Sequence, residues 1–77
     1  MKVTYDIETD TLRIRLSPKR IEESNELSPG VIVDVDAKGN AVGFEILDAS
    51  KRIENPQSVE LDIVTETVKK KARKRAV

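Results

Sequence analysis

Apolar and polar residues alternate with a period of two in the first part of the chain. Val3 and Tyr5 are separated by polar residues, and after an acidic break at 8–10 the apolar positions of 12–16 alternate with arginine. This period is typical of a strand with one buried face and one solvated face. The pattern predicts a β-hairpin that ends at Pro18, because proline cannot donate a hydrogen bond to a strand ladder.

The most regular pattern lies between residues 31 and 47. Residues 31–36 are β-branched apart from two aspartates, and apolar residues alternate again over 41–47. Gly39 in the intervening loop can adopt the left-handed conformation that closes a tight turn. The Ser-Pro-Gly sequence at 28–30 carries proline and glycine at the second and third positions of a turn. This part of the chain predicts a second hairpin that follows a turn.

Three shorter patterns complete the chain. Residues 20–27 predict a short edge strand. Residues 48–53 predict a helical turn, with the Asp48 side chain capping the exposed N–H groups at its start. Alternation over 59–64 predicts a last strand, but apolar residues four apart leave a helix open as the alternative for 57–68.

Together these elements predict a mainly β fold, a single β-rich α+β domain over residues 1–68 with a basic tail over 69–77 that is disordered or helical. We expect a single antiparallel sheet of four to five strands in meander order, with one short helical turn. One face of this sheet is predicted to be apolar, and its residues are Val3, Tyr5, Leu12, Ile14, Val31, Val33, Val35, Val42, Phe44 and Ile46. The sequence predicts too little helix to cover that face. A large uncovered apolar face usually marks an interface.

Composition supports self-association. The chain has 77 residues and contains neither cysteine nor histidine, which excludes disulfides and nearly all transition-metal sites. A domain of this size buries only about 60% of its unfolded surface and is marginal unless something else stabilises it. We therefore expect a homo-oligomer, most simply a dimer, that needs no cofactor.

The start of the chain has no apolar stretch that resembles a signal peptide, and no window approaches the roughly 20 apolar residues of a membrane span. We expect a cytoplasmic protein without a membrane partner.

Charge is divided unevenly although the chain is neutral overall. Residues 69–77 contain six bases and no acid, whereas residues 1–68 contain all 14 acids and eight bases, a net charge of −6. Such a basic run can neutralise phosphates or an acidic partner, and it can also be a solvated terminus. The residues predicted to contact nucleic acid or an acidic partner are Lys69, Lys70, Lys71, Arg73, Lys74 and Arg75.

Two acidic sets are candidates for chemistry. Asp34, Asp36 and Glu45 could share a face and hold a hard cation, because magnesium and calcium prefer oxygen ligands. Alternating acids are also what a solvated strand face requires, and we favour that interpretation. Around the first turn, 6–10 holds three acids, and aspartate side chains there bond the local backbone.

The remaining polar candidates have structural explanations. Several serines offer hydroxyl groups, but no histidine is present to act as their base, and Ser50 fits a helix start. Arg13 and Arg15 lie on the polar face of their strand, where they are expected to pair with acids of a neighbouring strand. We predict no catalytic residues.

The order and spacing of several motifs resemble the family of short bacterial and archaeal proteins called domain of unknown function 2283. The motifs lie between residues 2 and about 53, and the basic tail is outside them. They are Tyr5-Asp6, Asp10-Thr11-Leu12, Arg15-Leu16-Ser17, Pro29-Gly30-Val31-Ile32-Val33-Asp34 and the run from Gly39 through Phe44 and Asp48 to Arg52.

The resemblance implies no activity and no catalytic residues. Some members are similar to proteins encoded beside small ribonuclease-like toxins, which suggests an antitoxin role for part of the family. We therefore predict a non-enzymatic protein-interaction module that binds a small cognate protein. The alternative is a nucleic-acid-associated protein that uses the basic tail, and a metal enzyme based on the carboxylates of 34–45 is a third hypothesis.

Overall fold

The computed structural model describes residues 1–67 of the 77-residue chain. Five strands and one short helix follow one another along it. They are β1 (Lys2–Asp6), β2 (Thr11–Arg15), β3 (Glu23–Ser28), β4 (Val31–Val35), β5 (Ala41–Ile46) and α1 (Ala49–Arg52).

All five strands form one antiparallel sheet in the order β1-β2-β5-β4-β3. The predicted fold class is confirmed: the chain is mainly β, with one open sheet and one short helix. The order departs from the predicted meander at a single connection, because β2 pairs with β5 and not with β3. The apolar strand β5 is thereby central, while the fully exposed polar strand β3 is at an edge, as predicted.

The register aligns the apolar residues of four strands on one side of the sheet. Ile14 lies between Val3 and Phe44, and Leu12 lies between Tyr5 and Ile46. The pairing of β4 with β5 continues both rows. We call this side the apolar face, and it consists of Val3, Tyr5, Leu12, Ile14, Val31, Val33, Val35, Phe44 and Ile46.

Val42, which was predicted to belong to the same face, lies at a bulge. The register shifts between Asp34 and Val35, so Val42 has no direct partner on β4. Its carbonyl oxygen accepts hydrogen bonds from the N–H groups of Leu16 and Ser17, at 2.8 and 3.2 Å. An extra residue in one strand breaks the simple alternation on which the prediction was based. The side chain is nevertheless only 1% exposed.

Helix α1 begins differently from the prediction. Asp48 has left-handed backbone angles and its side chain makes no capping hydrogen bond, so the predicted cap is wrong. Asp10, in the β1–β2 turn, performs this function: its carbonyl accepts the Ala49 N–H at 2.9 Å. Its carboxylate accepts the N–H and the hydroxyl of Ser50 at 3.0 and 2.7 Å, which confirms the helix-start role of Ser50.

The predicted last strand over 59–64 is wrong. Residues 59–67 belong to neither a strand nor a helix, so the helical alternative is absent from that stretch as well. The apolar side chains of this stretch are exposed: Leu61 to 43%, Ile63 to 82% and Val64 to 77%. The alternating pattern is present, but within residues 1–67 no strand lies beside it. The basic tail over 69–77, with its six predicted contact residues, lies outside the described residues.

Within residues 1–67, no helix is long and apolar enough to cross a membrane.

Candidate functional site

The side of the sheet opposite the apolar face carries a row of charged groups. Arg13 of β2 lies opposite Glu45 of β5, with its Nε 3.9 Å from Oε1, and its Nη1 is 4.0 Å from Oδ2 of Asp6. The predicted pairing of Arg13 with acids of neighbouring strands is confirmed. Arg15 behaves differently, because its guanidinium donates to the carbonyls of Ser17 and Lys19 at 2.7 and 2.6 Å.

Two of the three acids predicted to share this polar side do come together. Asp34 is 4% exposed and accepts a hydrogen bond from the Ser24 hydroxyl at 2.5 Å. Hydrogen bonding to Asp34, together with burial and charge repulsion, raises the pKa of Glu45, and the opposing effect of Arg13 is smaller. A neighbouring carboxylate that accepts a hydrogen bond favours the protonated form of Glu45.

Asp36 does not join them. Its carboxylate accepts the backbone N–H groups of Lys38 and Asn40, both at 2.9 Å, and so holds the β4–β5 loop together. These bonds lower the pKa of Asp36. Residues 1–67 contain no group of three or more acids placed to hold a metal ion. The three acids predicted as cation ligands are therefore divided between a strand pair and a loop.

The raised pKa of Glu45 has a consequence for stability. Because the folded chain binds this proton more tightly than the unfolded chain, the stabilisation is present below the ordinary value of 4.5 and is lost as pH rises through the raised pKa. We expect Glu45→Gln to be more stable than the natural chain at pH 7, by less than about 1 kcal/mol after allowing for solvent screening. Urea denaturation at pH 7 and pH 4 measures this difference, which should shrink at the lower pH.

Glu8→Gln, an exposed turn residue, is the control for this experiment. A loss of stability in Glu45→Gln at pH 7 that shrinks at pH 4 would show that the ionic contact with Arg13 outweighs the interaction with Asp34.

The acids of the first turn are structural. The Asp6 carboxylate accepts the N–H groups of Glu8 and Thr9 at 3.0 and 3.4 Å, a local turn as predicted. Asp10 also accepts the Tyr5 hydroxyl at 2.6 Å, a contact that the sequence did not indicate. The Tyr5 and Ser50 hydrogen bonds lower the pKa of Asp10, and the same contact with Asp10 raises the pKa of Tyr5.

A groove of about 390 Å³ crosses the polar side. Its charged lining consists of Lys2, Arg13, Arg15, Asp34 and Glu45. Both signs of charge are present, and most of these groups already contact each other or the backbone. The groove therefore offers no concentrated charge of one sign to select an ionic ligand.

The apolar face is only partly covered. Within residues 1–67, the fully buried hydrophobic residues are Leu12, Val42 and Ala49. Val3 is 38% exposed, and the apolar side chains of β4 are half-buried. Helix α1 has four residues and one buried side chain. The described residues thus leave much of this face in contact with solvent.

Comparison with known proteins provides one match. The model of a family described as protein of unknown function (DUF2283) matches residues 2–50. The chain belongs to this family. No curated protein and no solved structure matches. The family region includes all five strands and ends at Ser50, where Asp10 holds the start of α1. Residues 51–77 lie outside it.

Proposed function

We propose that this member of the DUF2283 family is a non-enzymatic protein-binding module whose apolar face packs against a small cognate protein. The observation that carries the proposal is the small number of fully buried hydrophobic residues within 1–67, namely Leu12, Val42 and Ala49. Apolar surface that the chain itself does not cover gains free energy when a partner removes it from water.

Charge indicates the chemistry of the partner. Residues 1–68 carry a net charge of −6, and Glu22, Glu23 and Glu26 are exposed on and beside the edge strand β3. An acidic edge strand beside an apolar face is complementary to a basic protein with an apolar contact surface. A small basic toxin of the ribonuclease-like kind has this chemistry, and we propose an antitoxin-like role on that basis.

Replacement of Val33 by lysine tests the proposal. Val33 lies in the middle of the apolar face between Asn25 and Phe44. A charge there should weaken binding to a small basic protein encoded beside this one about tenfold or more, because an apolar contact becomes a buried unpaired charge. Calorimetric titration with the purified partner measures the affinity, and circular dichroism checks that the sheet persists.

Ile32→Lys is the matched control, because Ile32 lies on the same strand but on the polar side, next to Glu26 and Glu45. Val33→Thr changes polarity at nearly constant volume and should give a smaller loss of binding affinity. It keeps the test valid if Val33→Lys fails to fold. Equal binding by the natural chain and both Val33 variants would contradict the proposal, as would the absence of any binding.

Nucleic-acid binding through the basic run over 69–77 is the second proposal, and it rests on the six bases in the sequence. A chain that ends at Val68 separates the two proposals in the same titration. If the apolar face carries the function, this chain keeps its protein partner. If the tail carries it, truncation abolishes a salt-dependent binding to nucleic acid.

A further inference from the structure

Residues 59–64 have the composition of a strand, but no strand lies beside them in the part of the chain that the structure describes. Val59, Leu61 and Ile63 alternate with Glu60 and Asp62. No glycine or proline occurs over 57–67, and the structure assigns these residues to neither helix nor strand. Ile63 is 82% exposed. A segment with local strand preference and exposed apolar residues indicates a pairing partner outside this copy of the chain.

The sheet has two open edges, and their charges differ. Edge strand β3 carries Glu23 and Glu26, and a register shift between Glu26 and Ser28 interrupts it. The acids of 59–64 would face like charges there, which is unfavourable between paired strands. Edge strand β1 has an uninterrupted register, and its charged residues are Lys2 and Asp6 at its two ends. β1 is therefore the better acceptor.

Side-chain alternation and charge select one antiparallel register on β1. With Leu61 opposite Val3, Asp62 lies opposite Lys2 and Val59 opposite Tyr5, while Asp6 meets the neutral Ser58. A shift by two residues in one direction would place Asp6 opposite Glu60. A shift in the other direction keeps an opposite-charge pair, Glu60 with Lys2, but it brings Pro56 opposite Asp6 and leaves Asp62 and Ile63 beyond the start of β1. Opposite charges across a strand pair are favourable and like charges are not.

We propose that residues 59–64 of one copy pair with the β1 edge of a second copy as an additional antiparallel strand. Reciprocal exchange gives a closed dimer with two-fold symmetry, in which both β1 edges are covered. Val59, Leu61 and Ile63 then extend the apolar face beyond Val3 and Tyr5. Glu60 and Asp62 extend the charged row on the polar side, next to Thr4 and Lys2.

This dimer uses an edge of the sheet, not its apolar face, and is independent of the proposed function. It also uses residues beyond the family region, which ends at Ser50.

Charge reversal tests the register in the full chain. Sedimentation analysis of the natural chain should show a dimer. Lys2→Glu or Asp62→Lys alone should each raise the dimer dissociation constant about tenfold, and the double variant should restore it. Glu66→Lys, an exposed acid outside the proposed pairing, is the control and should change the constant little. A monomer at all concentrations, or a double variant no tighter than the single variants, would overturn the proposal.

Crosslinking identifies the copy that donates the strand. The chain has no cysteine, so the double variant Val3→Cys with Leu61→Cys has no competing thiols. Residues directly opposite each other on antiparallel strands have Cα separations of about 4.5–5.5 Å, within the range that a disulfide spans. We expect a covalent dimer on a non-reducing gel.

The controls are each single cysteine variant and Val3→Cys with Glu60→Cys, whose residues are predicted to lie on opposite sides of the sheet. A covalent monomer would place the segment on its own chain and would overturn the exchange. A dimer in sedimentation that Leu61→Lys leaves unchanged would also overturn it, and would instead favour contact through the apolar face, so the two proposals fail separately.

Discussion

A chain in which Leu12 is replaced by alanine is expected to lose a large part of its folding stability. Leu12 is 1% exposed and lies between Tyr5 and Ile46 at the centre of one apolar row. Removing a buried leucine side chain costs about 2–5 kcal/mol, which includes the cavity that remains. A domain of this size has a total stability of only about 4–12 kcal/mol, so the change removes a large part of it. Urea denaturation followed by circular dichroism measures the loss.

Leu27→Ala is the comparison for this experiment. Leu27 is 62% exposed at the irregularity of edge strand β3, and its truncation should cost less than about 0.5 kcal/mol. Similar losses in the two variants would show that the stabilising contacts are not concentrated around Leu12.

Gly43→Ala should also destabilise the sheet, by about 1–3 kcal/mol. A Cβ atom at this position would lie 2.7 Å from the carbonyl oxygen of Ile14 and 3.5 Å from the Cα of Arg15. Both neighbours are backbone atoms of β2, so the clash cannot be relieved by rotation of a side chain. The strands β2 and β5 would have to separate where they are hydrogen-bonded.

Two measurements distinguish this effect from general destabilisation. Ala41→Ser, at an exposed position of the same strand, should leave the unfolding midpoint nearly unchanged. Amide exchange in Gly43→Ala should accelerate first along the β2–β5 pair. Unchanged stability of Gly43→Ala would mean that the two strands separate more easily than this close approach implies.

The alternation of apolar and polar residues predicted most of the strands, because each strand has one side on the apolar face of the sheet and one on the polar side. The alternation around Ile14 and Val33 indicates both the element and the face on which its side chains lie. The order of the strands could not be predicted in the same way. The pairing of β5 with β2 depends on the path of the chain after Pro18, and no local pattern indicates that path. Val59 to Val64 show the opposite case, in which a strand pattern is present without a neighbouring strand in the described residues.

The candidate site was predictable in part for similar reasons. Arg13 and Glu45 have the side-chain parity that places them on the polar side, so their pairing follows from the strand pattern. The separation of Asp36 from Asp34 does not, because the bulge and the loop hydrogen bonds of Asp36 redirect it. The cap that Asp10 provides to Ser50 connects residues 40 positions apart, and no local sequence signal reports it.

The strand order divides the chain into two units that must meet during folding. One unit is the β1–β2 hairpin, and the other is the β3–β4–β5 meander, whose successive strands are joined by short turns. Both contain local contacts and can form early, whereas the β2–β5 seam closes a long loop and is entropically slower. The start of helix α1 is held by Asp10, which belongs to the first unit. The helix should therefore form only after β2 has paired with β5, and its rate of formation should measure that pairing step.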